Sequence, residues 1–252
     1  MVDLDELCRY LDELLDVAAF SDYAPNGLQV EGRREVSIIA AGVTASEAMI
    51  QAAIAMRADA ILVHHGYFWK GEHPCVTGMK KRRLELLLGN GISLLSYHLP
   101  LDAHPRFGNN VVLAGRLGIE VDGPLAPELA NGLVLHGRLA RPLSPEMFAR
   151  RIETSLGRAP LHLMGASTSI ERVAWCSGAA QSYFEAAAMR GVDAYLTGEV
   201  SEQAAHVAAE TGTHYFAAGH HATERYGVQA LASHLQARFS LTCRYVEIDN
   251  PA

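Results

Sequence analysis

Cysteine is scarce in this chain of 252 residues, and the four present (Cys8, Cys75, Cys176 and Cys243) lie far apart with no C-x-x-C pair. That spacing argues against a disulfide framework and against a thiolate zinc site, and it fits a reducing cytoplasm. No apolar run approaches the roughly 20 residues that span a bilayer. The N-terminus, M-V-D-L-D-E-L-C-R-Y-L, lacks the basic start and apolar block of a signal peptide. Basic charge is in deficit too. Lys and Arg total 21 against 28 Asp and Glu, a net charge of −7, which argues against general nucleic-acid binding because that affinity rests on cations neutralising phosphates. No low-complexity tract interrupts the chain. With 49% hydrophobic and 19% charged residues, the composition is that of a soluble cytoplasmic protein with one large domain or two ordinary ones.

What is present is a regular alternation. Leu4, Leu7, Leu11 and Leu14 keep helical spacing and predict a surface helix over 3–18. P-N-G-L-Q-V-E-G (25–32) reads as turn, short strand, turn, and V-S-I-I-A-A-G (36–42) as a buried strand. Thr44 with Glu47 forms a capping box that opens a helix to about Arg57. Ile61–Val63 is the next strand, 79–88 a helix ending near Gly89 and Gly91, I-S-L-L-S-Y (92–97) a strand, and Asn109–Leu117 a helix stopped by Gly118. Further on, Ser144-Pro145 opens a helix to Gly157, and 159–165 and 171–178 read as strands. Strands alternating with helices predict an α/β fold of the three-layer α/β/α type.

The second half repeats the first. Q-A-A-I-A-M-R-A-D-A-I-L (51–62) lies over E-A-A-A-M-R-G-V-D-A-Y-L (185–196), matching at Ala52, Ala53, Asp59, Ala60 and Leu62. S-Y-H-L-P-L-D (96–102) lies over A-G-H-H-A-T-E (218–224), which sets His98-x-x-x-Asp102 against His220-x-x-x-Glu224. Any two strand–helix units look somewhat alike, but the matches favour duplicated α/β halves, 1–125 and 126–252, with exchange of elements between them left open.

Three places hold histidine with a second histidine or a carboxylate: His64-His65, His98 with Asp102, and His220-His221 with Glu224. Each follows a predicted buried strand, at the end of the sheet where α/β proteins bind ligands. His220 and Glu224, four apart, share one face if a helix has begun there. Asp102 follows Pro100 and is expected in a loop. His64 and His65 would point to opposite faces of a regular strand, so either the chain bends or each reaches a different ion. Imidazole and carboxylate without thiolate suit Zn, Fe, Mn, Co or Ni, and the number of groups exceeds what one tetrahedral ion needs. The remaining histidines have blander roles: His104, His136, His162 and His234 at the surface or in packing, His73 and His206 likewise or near the site, and His214 as a structural residue opening a strand. Y-F-W (67–69) is expected to pack or to wall off the pocket. K-K-R-R (80–83) reads as a solvated helix face.

H-H-G-Y-F-W-K-G (64–71), S-Y-H-L-P-L-D-A-H (96–104), G-N-N (108–110) and A-G-H-H-A-T-E-R (218–225) resemble the Nif-three-like family, whose members also carry the name GTP cyclohydrolase I type 2 homologue. The resemblance covers essentially the whole chain and is closest to the short bacterial form, with no room for the domain that longer members insert between the halves. It implies a duplicated α/β fold, a toroidal homohexamer and two divalent metal ions per subunit, with His64, His65, Asp102, His220 and Glu224 as ligands. His98 would lie beside the ions as a further ligand or a proton-transfer group. Gly198-Glu199 stands where the histidine pair would fall in the second copy, which suggests that the halves build one site rather than two.

Two functional classes follow. One is a metal-dependent hydrolase with metal-activated water as nucleophile, acting on a small molecule such as a nucleotide or phosphoester. No G-x-x-x-x-G-K-[ST] loop is present, so Lys70, Arg106 and Arg225 would have to hold phosphate. The other is a non-catalytic metal carrier or regulatory protein whose ions are cargo. A scaffold role finds no interaction tail or coiled coil to support it.

Overall fold

Buried apolar strands alternating with capped helices set the plan of the chain, for which a computed structural model describes residues 1–252. The elements begin with β1 (Val2–Asp3), α1 (Leu4–Leu14), β2 (Gly27–Val30), β3 (Glu35–Val36), β4 (Ile38–Thr44) and α2 (Glu47–Ala55). They continue with β5 (Ala60–His65), α3 (Gly78–Asn90), β6 (Ser93–Ser96), α4 (Leu99–Ala103), α5 (Asn109–Leu117), β7 (Ile119–Pro124) and β8 (Leu135–Leu143). Next come α6 (Pro145–Leu156), β9 (Leu161–Leu163), β10 (Ile170–Trp175), α7 (Phe184–Ala188), β11 (Ala194–Thr197), α8 (Glu202–Thr211) and β12 (His214–Ala217). The chain closes with α9 (His220–Phe239) and β13 (Thr242–Tyr245). No helix is long and apolar enough to cross a membrane.

Two units result, Met1–Phe107 with Gly227–Asp249 and Gly108–Tyr226 with Asn250–Ala252. The sequence pattern puts the division at 125/126; the structure puts it at 107/108, because α5 contributes Leu113, Ala114 and Leu117 to the second core. Residues 227–249 return to the first unit, where Val228, Leu231 and Leu235 join the first core.

In the first unit the strand order is β13-β4-β5-β6-β2, parallel except for β2 at the edge. Successive strand residues face opposite sides. Ile39, Ala41, Ala60, Leu62 and Leu95 therefore pack against Leu4, Leu7 and Leu11 of α1 and against the end of α9. Ala40, Ile61, Val63 and Leu94 pack against Met49, Ile50 and Ala53 of α2 and Leu87 of α3. These side chains are essentially inaccessible, and burying each Val, Leu, Ile or Met among them contributes about 1.5–3 kcal/mol before the entropy of ordering is charged against it. The cap of α2 is Ser46, whose Oγ accepts the Met49 N–H at 3.2 Å, and not Thr44 as the capping-box pattern suggests. Thr44 is the last residue of β4, paired with His65.

In the second unit the order is β7-β8-β10-β11-β12-β9. β10, β11 and β12 are parallel, and β9 is the antiparallel edge strand against β12. Val173, Trp175, Ala194, Leu196 and Phe216 face Leu113 and Leu117 of α5 and Phe148, Ile152 and Leu156 of α6. On the other face, Phe184 of α7 packs against the rings of Tyr195 and Tyr215, at 5.6 and 4.7 Å.

The two sheets share a design: an antiparallel edge strand precedes three parallel strands and pairs with the third. The matched aspartates show it at atomic detail. Asp59 Oδ2 accepts the Ser37 and Ile38 N–H groups at 2.9 and 3.0 Å, and Asp193 Oδ2 accepts those of Glu171 and Arg172 at 2.9 and 2.8 Å. In both units that carboxylate pins the start of the first parallel strand to the start of the second.

Candidate metal centre

The parallel strands of the first unit carry their polar residues at one end. β5 runs through Ile61, Leu62 and Val63 into His64, which is fully buried, and His65, which is half-buried. A sharp exit follows at Gly66, where a Cβ would fall 2.1 Å from Gln29 Oε1 and 2.7 Å from Ser96 Cβ. Gln29 holds that exit, accepting the Tyr67 N–H at 2.7 Å and donating to the carbonyls of Pro25 and Tyr67. The neighbouring rings do not diverge as they would on a regular strand: their centroids are 4.6 Å apart, and both approach His98, at 5.1 and 5.6 Å. One ring nitrogen from each of the three histidines lies within 4.8 Å of the others.

His64 Nδ1 lies 2.9 Å from the Tyr97 carbonyl oxygen, which can only accept, so Nδ1 carries the proton and Nε2 presents its lone pair. Nε2 faces Asp102 Oδ1 at 3.5 Å. Two acceptors held face to face in a buried place repel unless positive charge stands between them. The donor set therefore fits a cation. Asp102 lies in α4 and not in a loop. Pro100 sits in the first turn, where the missing N–H costs nothing, and the Asp102 N–H bonds the His98 carbonyl at 3.1 Å. His98 caps that helix, and its Nδ1 is 2.7 Å from Asp22 Oδ1. Asp22 also accepts Asn26 Nδ2 and the Leu99 N–H, at 2.9 and 3.0 Å. Burial would push its carboxyl up, but the bonds from His98, Asn26 and Leu99 prevail and hold it at about 2. Trp69 stands edge-on to His98 at 5.0 Å and 5.9 Å from His65, a wall on this donor set.

In the second unit, α9 begins at His220, and the i, i+4 spacing brings His220 Nε2 to 3.0 Å from Glu224 Oε2. His220 Nδ1 is 2.7 Å from Glu199 Oε1, just past the end of β11. Burial disfavours a charged His220, yet Glu224 and Glu199 together override it and raise the imidazolium pKa to about 9, so the two carboxylates favour positive charge at this place too. Two glycines make the room. A Cβ on Gly178, at φ +68°, would lie 2.1 Å from Glu224 Oε1, and one on Gly198 would lie 2.6 Å from His220 Cα. Thr223 ties the helix start to the strand ends, accepting the Gly178 N–H at 3.0 Å and donating to the Gly219 carbonyl at 2.9 Å.

The remaining expectations sort as follows. His73 and His206 are exposed, and His206 pairs with Glu202 at 2.9 Å. His104 stacks on Phe107, His136 is 3.9 Å from Asp122, and His234 is 2.5 Å from the Tyr10 hydroxyl. His214 opens β12 fully buried, with Nε2 2.8 Å from the Ser167 carbonyl and Nδ1 3.0 Å from His162 Nε2. Lys80, Lys81 and Arg82 pair with Glu72, Glu85 and Glu47, so the basic run is a solvated helix face. Asp22, Gly178 and the role of Glu199 were not legible in the pattern.

The family model for DUF34/NIF3 (NGG1p interacting factor 3) matches residues 2–251. The chain belongs to the DUF34/NIF3 family. Among its relatives, the GTP cyclohydrolase 1 type 2 homolog of Allochromatium vinosum is 58% identical over 252 residues, covering 100% of this chain and 98% of that one. The protein of the same name from Pseudomonas aeruginosa is 57% identical over 251 residues, covering 100% and 99%. The solved structure of the protein ybgI superposes with a TM-score of 0.96 at 50% identity, covering 100% of both chains. The α/β fold is thus the NIF3 fold.

Proposed function

We propose that this NIF3-family chain is a dinuclear metal-dependent hydrolase, with His64, His65, Asp102, His220 and Glu224 as ligands of two divalent cations and His98 as the proton-transfer group. The observation that carries the reading is the state of two histidines. His64 and His220 each have Nδ1 committed to an acceptor while Nε2 is turned to a buried carboxylate oxygen. The donor chemistry suits Zn, Fe, Mn, Co or Ni.

Bound divalent cations supply Lewis acidity that acidifies water and stabilises negative charge on a substrate oxygen. The chain's own residues supply the rest. Asp22 holds the proton side of His98 so that Nε2 accepts a proton and returns it to a leaving group. Trp69 shields that exchange from bulk water. The relatives' name fits hydrolysis of a nucleotide-like small molecule. Arg225 is engaged with the Leu156 carbonyl and the Tyr226 hydroxyl, and Arg106 lies 5.0 Å from the Phe107 ring, so exposed Lys70 is the side chain best suited to meet a phosphate. The resemblance also implies a homohexamer, which light scattering checks against the 27.3 kDa subunit.

Elemental analysis of protein purified without added metal tests the centre. About two ions per chain support it, and fewer than one refutes it. Turnover of nucleotide and phosphoester panels by metal-loaded protein, lost in Asp102→Ala with the fold intact, supports hydrolysis. Turnover that survives Asp102→Ala removes catalysis from this site, and exchangeable metal without turnover makes the ions cargo.

A further inference from the structure

We infer that Glu199 and Asp22 are positioning residues that fix the tautomer and ring orientation of His220 and His98, so that His220 presents Nε2 to a cation and His98 presents Nε2 to the proton it transfers; the inference rests on the two-metal reading. An imidazole left to itself can offer either nitrogen and can turn about its bond to Cβ. A carboxylate on Nδ1 removes both freedoms, because it can only accept and so keeps the proton there. Both contacts are 2.7 Å.

Each carboxylate is itself held. Glu199 Oε2 accepts from Gln181 Nε2 at 3.2 Å, and the Glu199 carbonyl accepts the Tyr215 hydroxyl at 2.5 Å. Asp22 Oδ1 accepts the Tyr23 N–H at 2.6 Å, while its Oδ2 takes Asn26 and the Leu99 N–H. Asn26 in turn accepts the His98 N–H at 2.7 Å, so ring and backbone of His98 are tied to one loop.

The origin of the two carboxylates is the stronger argument. His98 and His220 occupy matching places in the two copies, but their partners do not. Asp22 precedes β2, whereas Glu199 follows β11, at the position the histidine pair fills in the first copy. A contact inherited from the duplicated fold would come from equivalent positions. One that arises twice, by different routes and at the same distance, is demanded by what the two histidines do.

The test uses the full chain and zinc alone as the probe. Competition against a chromophoric chelator should show Glu199→Gln weakening zinc binding about tenfold and Glu199→Ala toward a hundredfold, with the far-UV circular dichroism unchanged. In protein labelled with ¹⁵N-histidine, the downfield Nδ1–H signal of His220 should move upfield in Glu199→Ala while that of His98 stays. Asp22→Asn should do the reverse, and because Asp22 also supports a helix start, Glu199 carries the decision if that variant fails to fold. Zinc affinities of both Glu199 variants within twofold of wild type, or an unmoved His220 signal, overturn the inference while leaving the two-metal reading intact. Wild type that takes up no zinc overturns that reading, and this inference with it.

Discussion

Alanine at Gly178 separates the two demands placed on that residue. The first is its backbone, since φ is +68° and a left-handed conformation costs an ordinary residue about 1–2 kcal/mol. The second is space, because the new Cβ would lie 2.1 Å from Glu224 Oε1, 3.0 Å from Glu224 Cδ and 3.2 Å from His220 Nε2. Glu224 must move, and its charged contact with His220, in a mostly buried setting, is worth roughly 1.5–3 kcal/mol. Gly157, which ends α6 at φ +70°, isolates the first demand, because a Cβ there meets nothing within 4 Å. In urea denaturation of metal-free protein, Gly157→Ala should therefore cost about 1–2 kcal/mol and Gly178→Ala roughly 2.5–5 kcal/mol. Zinc uptake should fall only in the second variant. Equal losses in the two, with zinc uptake intact in both, would refute the claim that the glycine exists to seat Glu224.

Two further outcomes follow. His220 has its pKa raised from 6.5 to about 9 in the metal-free protein, so the stability it contributes is full below pH 6.5 and is lost as pH rises to 9; urea midpoints should fall across that window, and His220→Gln should flatten the fall. Of the two tryptophans, Trp69 stands beside His65 and His98 and Trp175 is buried in the second core, so Co²⁺ should quench the fluorescence in wild type and far less in Trp69→Phe.

Much of this arrangement is legible in the chain itself. Strands that end in His64-His65 and helices that begin with His220-x-x-x-Glu224 announce themselves, because apolar periodicity locates the element and the polar residues stand out at its end. Where the pattern misleads, a short-range cue competes with a nearby one. Thr44 with Glu47 has the spacing of a cap, but the sheet holds Thr44 in β4 and Ser46 takes the role. Pro100 suggests a loop before Asp102, although proline suits the first turn of the helix that actually forms. The boundary at 107/108 is hidden because the apolar face of α5 does not say which core it enters. Asp22 lies in S-D-Y-A-P-N-G, where one more polar residue in a turn carries no signal, and its meaning comes only from the distant His98.

The aspartate anchors at Asp59 and Asp193 grip peptide N–H groups, not side chains, so they hold the strands in register whatever residues those strands display. A scaffold fastened in this way tolerates drift in everything it carries. Once copied, it could keep imidazoles behind the middle strand of one half and exchange them for an acid behind the middle strand of the other. The anchors thus fix where each half displays its polar residues without fixing which residues those are.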